Sequence, residues 1–270
     1  MLASVKGELW MMNSDRIEEF ALSCLDASEK AGTHAEGFDL SDFYPMRQAA
    51  FLDGNKVAHI EVKGSLLNKV PGIYEKLGLA TKYQTIIDET EAAKANGAIG
   101  IVYHVDSPGG TVSGVKEAGR AIAEAGIPTV AHCSNMACSA AYWLASQTDF
   151  IVAEESAEIG NIGAILSWAD CSAMWEKMGI EFNALVSEGA DLKSTFHTEP
   201  DDAQIEFLQD RINKAGAEFR EAVKAGRAKA GAELDDEVWR AGWYSGYEAG
   251  TLGLLDAIGS TQDATSELLS

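Results

Sequence analysis

From residue 56 onward the sequence alternates short apolar runs with longer segments of helical spacing, and that alternation leaves few folds open. "KVAHIEVKG" (56–64), "AIGIVYHVDS" (98–107), "IPTVAHCS" (127–134) and "FIVAEES" (150–156) read as strands, rich in β-branched and aromatic residues. Between them, "TKYQTIIDETEAAKANG" (81–97), "VKEAGRAIAEAG" (115–126) and "ACSAAYWLASQ" (137–147) read as helices, the first ending at Gly97. Apolar strands joined by helices predict an α/β layer fold with a parallel-type sheet.

The flanks differ in character. Residues 14–29, "SDRIEEFALSCLDASE", predict an amphipathic helix with Ser14 or Asp15 as N-cap and Ile17, Phe20, Ala21, Cys24 and Leu25 on one face. A Gly/His/Asp-containing loop follows at 32–45, so residues 1–50 read as a helical extension in front of a main domain at 51–262. Residues 201–230 predict a long helix or helix pair, acidic first and basic last, which suits the helix dipole. Residues 263–270 form a short tail.

Composition removes whole classes of function. The 42 acidic side chains outnumber 21 basic ones, for a net charge of −21, a field that repels nucleic-acid phosphates and anionic membranes. Nucleic acid is therefore not expected as a ligand. Cys24, Cys133, Cys138 and Cys171 lack C-x-x-C spacing and read as free thiols in a reducing compartment, so no metal is expected. The first residues show no signal-peptide apolar core, and no apolar run approaches the ~20 residues of a membrane span, so a cytoplasmic protein without a membrane anchor is expected.

Two segments carry chemistry. In "HVDSPGGTVSG" (104–114) an apolar strand runs into Pro-Gly-Gly and then a helix. The adjacent Gly109 and Gly110 permit unusual backbone angles and close approach, so their amides can face an anion or a developing oxyanion. A lone Pro-Gly-Gly is more often a plain tight turn. Neither a Walker loop nor a G-x-G-x-x-G fingerprint is present, and no cofactor is expected. In "SNMACSAAYWLAS" (134–146), Ser139 falls between a strand and a helix, where the Ala140 amide and the helix dipole lie beside its hydroxyl. The context follows the logic of a nucleophile elbow without the G-x-S-x-G signature. Ser134 and Ser146 are explained by packing or capping.

A serine nucleophile needs a base. His104 and His132 fall inside predicted strands and read as structural, and His34 and His59 precede the chemistry-bearing segments. Lys177, beside Glu176 in a helix, reads as a solvated surface group. That leaves Lys193, after the predicted strand "GIEFNALVS" (179–187), and His197 in "KSTFHTEP", and spacing alone does not choose between them.

Five blocks in order, "VAHIEVKGSL", "HVDSPGG", "NMACSAAYWLASQTDFIVAEESAEIGNIGAI", "MGIEFNALVSEGADLKS" and "GWYSGYEAGTLGLLDAIGS", resemble the signal peptide peptidase A-type serine proteases across roughly residues 56–260. The resemblance implies a ClpP/crotonase-like fold of stacked β-β-α units. It implies a Ser-Lys dyad of Ser139 and Lys193, with oxyanion donors at Gly109, Gly110 and Ala140. The ClpP branch places a histidine where this chain has Ala164, so a ClpP-type triad is excluded and the base falls on Lys193. Many relatives carry a lysine-orienting serine where this chain has Asn161, whose side-chain oxygen is able to accept the same bond.

The leading "GELWMMNSDRIEEFALSCLD" is similar to the helical lead-in of lambda-type prohead proteases, which process scaffold and capsid proteins in the assembling phage head. That branch implies protein substrates, a homo-oligomer with sites completed across subunits, and a place in the host cytoplasm inside the prohead. A deprotonated lysine base implies activity that rises toward alkaline pH. Other readings are an SppA-like peptidase acting on signal or other peptides, a crotonase-like acyl-CoA enzyme and a non-catalytic scaffold protein.

Overall fold

The structure, a computed structural model, describes residues 10–12, 46–168, 172–181, 183, 185–193 and 200–270. In chain order the strands are β1 (Trp10–Met12), β2 (Phe51–Leu52), β3 (Val57–Lys63), β4 (Ser65–Leu67), β5 (Ala80–Lys82), β6 (Gly100–Ser107), β7 (Gly109–Thr111), β8 (Thr129–Cys138), β9 (Phe150–Ala153), β10 (Glu158–Gly160), β11 (Trp243–Ser245) and β12 (Ala257–Ile258). The helices are α1 (Gly72–Lys76), α2 (Tyr83–Ala95), α3 (Val115–Ala123), α4 (Ala140–Ala145), α5 (Ser172–Lys177), α6 (Asp202–Lys229), α7 (Gly246–Thr251) and α8 (Thr261–Leu268).

The expected α/β architecture is present, with a mixed sheet. The spine of the larger sheet is parallel: β3 pairs β6, β6 pairs β8, and β8 pairs β9. Antiparallel strands close two margins, β2 on β3 and β11 on β10. A second sheet runs β1-β7-β4-β5. α2 is followed by Gly97 at φ 77°, the left-handed conformation in which a glycine ends a helix without strain.

Strand alternation sorts the side chains onto two faces. Ile101, Tyr103 and Val105 of β6 join Ala58, Ile60 and Val62 of β3 and Ala131 and Cys133 of β8 in the main core, with Ile86 of α2, Ile122 of α3 and Phe219 of α6. On the opposite face Val57, Val102, Val130 and Val152 pack with Ala264 of α8. His59, His104 and His132 share that second face. His59 Nδ1 and His104 Nε2 lie 2.9 Å apart with stacked rings, and His132 meets His104 edge-on at 6.2 Å between centroids. The structural reading of the strand histidines thus has a geometric basis, a polar ladder across three neighbouring strands.

The segment 201–230 is one helix, α6, opened by a capping box in which Asp201 accepts from the Gln204 amide. Its docking on the sheet is specific. Phe219 stacks on Trp143 at 5.2 Å. Arg227, 1% exposed, makes a two-pronged ion pair with Asp256 at 2.8 and 2.9 Å and donates to Gly253 O.

Four expectations need correction. Pro-Gly-Gly is not a free turn, because Gly109–Thr111 extends as β7 between two strands. β8 runs on to Cys138, so the following helix starts at Ala140 rather than Ala137. The strand at 179–187 is absent among its described residues, where Ile180, Leu185 and Val186 are exposed. Within the leading extension, Trp10–Met12 is a strand on β7. The helix at 14–29 lies outside the described residues.

Candidate active site

Three parallel-strand ends converge at the site. β6 and β8 stay in register from Ile101↔Thr129 to Val105↔Cys133, then slip, so that Ser107 faces Ala137. The slip loops Ser134 and Asn135 into solvent, where Asn135 Nδ2 donates to Asp106 Oδ1 at 3.1 Å. Past the bulge, β8 leaves β9 and pairs β10 instead, with Met136 opposite Glu158 and Cys138 opposite Gly160. The bulge thereby aims the end of β8 between the β6–β7 junction and the end of β10.

Ser139 is the pivot. Its backbone sits at φ 57° and ψ −124°, a positive-φ conformation that costs a non-glycine residue about 1–3 kcal/mol. Such a turn is what a nucleophile between a strand and a helix requires. Two bonds hold it: the Ser139 amide donates to Gly160 O at 2.7 Å, and Ser139 O accepts from the Trp143 amide at 3.0 Å to open α4. The residue is fully buried, and its Oγ has no hydrogen-bond partner among the described residues. Ala140, first residue of α4, has an amide with no partner inside the helix, and no side chain caps that end.

The glycines of β7 stand opposite. Gly109 adopts φ 104°, and its amide donates to Ser107 Oγ at 3.1 Å. Gly110 abuts the carbonyl of Leu66 so closely that an added Cβ would lie 1.7 Å from Leu66 O. Only glycine fits there. Tyr83 in α2 fixes the far end of the strand by donating from its hydroxyl to Thr111 O at 2.7 Å.

Asn161 follows β10 at φ 56°. Its amide donates to Gly242 O at 2.7 Å and its Nδ2 to Ala241 O at 3.1 Å. The Nδ2 bond holds the side chain and leaves Oδ1 as its acceptor. Ala164, at the position of the ClpP-type histidine, is half-buried beside the main core.

The structure therefore gathers Ser139, Ala140, Gly109, Gly110 and Asn161 around the ends of β6, β8 and β10. Among the described residues no hydrogen bond joins Lys193 to them. Lys193 is exposed, in a turn where its amide donates to Ala190 O at 3.0 Å, and Ser139 Oγ is unengaged. His197 lies outside the described residues. Cys133 is no rival nucleophile: burial, with Cys138 nearby, pushes its thiol up to about 12. Three partners escaped sequence reasoning, namely the Gly160 carbonyl, the Ser107 hydroxyl and the pairing of β1 with β7. All three depend on which strands become neighbours, and no local signal encodes that.

The chain is similar to several known proteins. Residues 121–269 match Peptidase family S49. The capsid assembly protease C of Escherichia phage lambda is 29% identical over 245 residues, covering 89% of this chain and 54% of that protein. The putative signal peptide peptidase SppA of Enterococcus faecium is 31% identical over 190 residues, covering 67% of this chain and 52% of that protein. The head-tail preconnector protein GP5 of Enterobacteria phage P21 is 28% identical over 173 residues, covering 63% of this chain and 34% of that protein. The chain thus spans about half the length, or less, of these three relatives. A solved structure of a membrane-bound stomatin-specific protease aligns over 80% of this chain and 86% of its own, with a TM-score of 0.49 and 14% identity.

Proposed function

The chain belongs to peptidase family S49, and from that premise we propose that it is a serine endopeptidase with a Ser139–Lys193 dyad, acting as a phage prohead protease on scaffold or capsid proteins. The observation that carries the chemistry is the strained, buried Ser139 with its unengaged hydroxyl. The phage assignment draws on the similarity to the lambda and P21 proteins and on the lead-in sequence.

In this mechanism neutral Lys193 takes the Ser139 proton as Oγ attacks a peptide carbonyl carbon. The amides of Gly110 and Ala140 hold the oxyanion, and Gly109 joins them on releasing Ser107. Lys193 then gives its proton to the leaving amine as the C–N bond breaks. Water hydrolyses the acyl-serine, and the proton returns to the dyad. Asn161 Oδ1 accepts from the lysine ammonium and aims it.

Ser139 Oγ has no hydrogen bond to Lys193 among the described residues, and in this reading a second copy supplies the lysine. The segment preceding Lys193 supports this reading: Trp168, Met174, Met178, Leu185 and Val186 are all exposed, apolar side chains that a second copy would cover. Among the described residues no helix is long and apolar enough to cross a membrane.

The test is fluorophosphonate labelling of Ser139, combined with mixing of two inactive variants. Ser139→Ala and Lys193→Ala should each lose cleavage of scaffold protein, and co-assembly should restore part of it. Labelling that spares Ser139, or full cleavage by either variant alone, would overturn the dyad.

A further inference from the structure

The strand that carries the glycines has two edges, and both are filled. On one side β4 pairs with β7, Leu66 opposite Gly110. On the other lies β1, antiparallel, with Trp10 opposite Thr111, Met11 opposite Gly110 and Met12 opposite Gly109. The three residues of β1 cover the whole length of β7.

A peptide laid along that outer edge would pass the β6–β7 junction. An extended substrate is held by backbone pairing with an exposed strand edge. β7 follows directly on β6, whose last residue, Ser107, faces Ala137, two residues before Ser139. The direction also fits. β1 runs from Thr111 toward Gly109, so its C-terminal end points at the glycine whose amide lies nearest the β6–β7 junction. A peptide delivering the carbonyl after its last paired residue to the nucleophile runs the same way.

We propose that Trp10–Met12 is an intramolecular pseudosubstrate strand, filling the acyl-side half of the peptide channel until an incoming extended chain displaces it. The proposal rests on Ser139 being the nucleophile. Only backbone groups make the pairing, so the channel accepts unfolded segments of varied sequence and refuses folded ones. The strand is held rather than cut, and no bond changes.

In an antiparallel pair, successive residues alternate between amides that face the partner and amides that face away. Of Met11 and Met12, one amide therefore bonds β7 and the other does not. Full-length Met11→Pro and Met12→Pro are compared with the native chain for the rate at which a fluorophosphonate labels Ser139. The expected result is that the proline at the β7-facing position labels several-fold faster, while the other stays near the native rate. A synthetic peptide of residues 7–15, GELWMMNSD, should slow the fast variant again. Native labelling that neither proline accelerates overturns the pseudosubstrate strand and leaves the nucleophile standing. Absence of labelling in all three chains overturns the nucleophile, and this proposal with it.

Discussion

The amide of Ser139 donates to the carbonyl of Gly160 at 2.7 Å, one residue beyond the point where Cys138 pairs with Gly160. A single strand pair thus carries both the serine and the turn of Asn161. The two positive-φ residues, at 57° and 56°, are set by the same ladder, so a shift of β10 against β8 would misplace both.

Ser139 holds two kinds of strain that its removal relieves. An unpaired buried hydroxyl costs about 1–3 kcal/mol, and Ser139→Ala removes it. Ser139→Gly also releases the positive φ, offset by about 1 kcal/mol of glycine chain entropy. Both variants should be more stable than the native chain by on the order of 1 kcal/mol, with a raised unfolding temperature, while cleaving nothing. Differential scanning calorimetry beside a cleavage assay checks the pairing, and a destabilised Ser139→Gly would contradict it.

Asn161 separates backbone from side chain. Glycine accepts its φ of 56°, so Asn161→Gly keeps the turn and deletes Oδ1. The expected outcome is a fall in kcat of about 100-fold with little change in KM, as for a mispositioned catalytic group. Asn161→Ser should recover part of it. Steady-state kinetics on one peptide series decides, and native turnover in Asn161→Gly would remove the positioning role.

Arg227 and Asp256 form a buried pair that locks α6 to the sheet. Arg227→Met strands a carboxylate and should cost about 3–5 kcal/mol in urea unfolding. The double variant Arg227→Met/Asp256→Leu should lose less than that. It should still fall short of the native chain, because Asp256 Oδ2 also accepts from the Ile151 amide at 2.7 Å. A double variant less stable than Arg227→Met would contradict this.

The histidine ladder sets an acid limit. Burial, with His59 and His132 alongside, lowers His104 from the ordinary 6.5 to about 4. Between those values the unfolded chain binds the proton more readily, so stability rises with pH across that window and is complete above it. Moving from pH 8 to pH 5 should cost about 2 kcal/mol through this residue. His132, also shifted down chiefly by burial, adds in the same direction. The difference between urea midpoints at the two pH values should narrow in His104→Gln, and an unchanged difference would contradict the assignment.

The packing of α6 on α4 leaves no room at Gly226, where an added Cβ would lie 1.8 Å from Ser146 O. Gly226→Ala should destabilise by about 1–3 kcal/mol despite alanine's better helix propensity. Gly216, ten residues earlier on the same helix, meets nothing within 4 Å, so Gly216→Ala should be stabilising. Thermal melts of the two variants should therefore move in opposite directions.

What the sequence by itself determined is whatever period and local chemistry encode. The apolar runs placed β3, β6, β8 and β9, Gly97 marked the end of α2, and the small residues around Ser139 marked a strand-to-helix junction. These signals are local because a strand's alternation or a helix's stop is written within a few residues. Tertiary structure alone decided which ends meet. The β6–β8 slip that aims Ser139, the Gly160 carbonyl that anchors it and the β1 strand laid along Gly109–Thr111 all arise from pairing between distant segments. A segment such as 179–187 shows the converse: despite its strand-like composition, its described residues form no strand. A strand is completed by its neighbour, and a neighbour is a property of the fold.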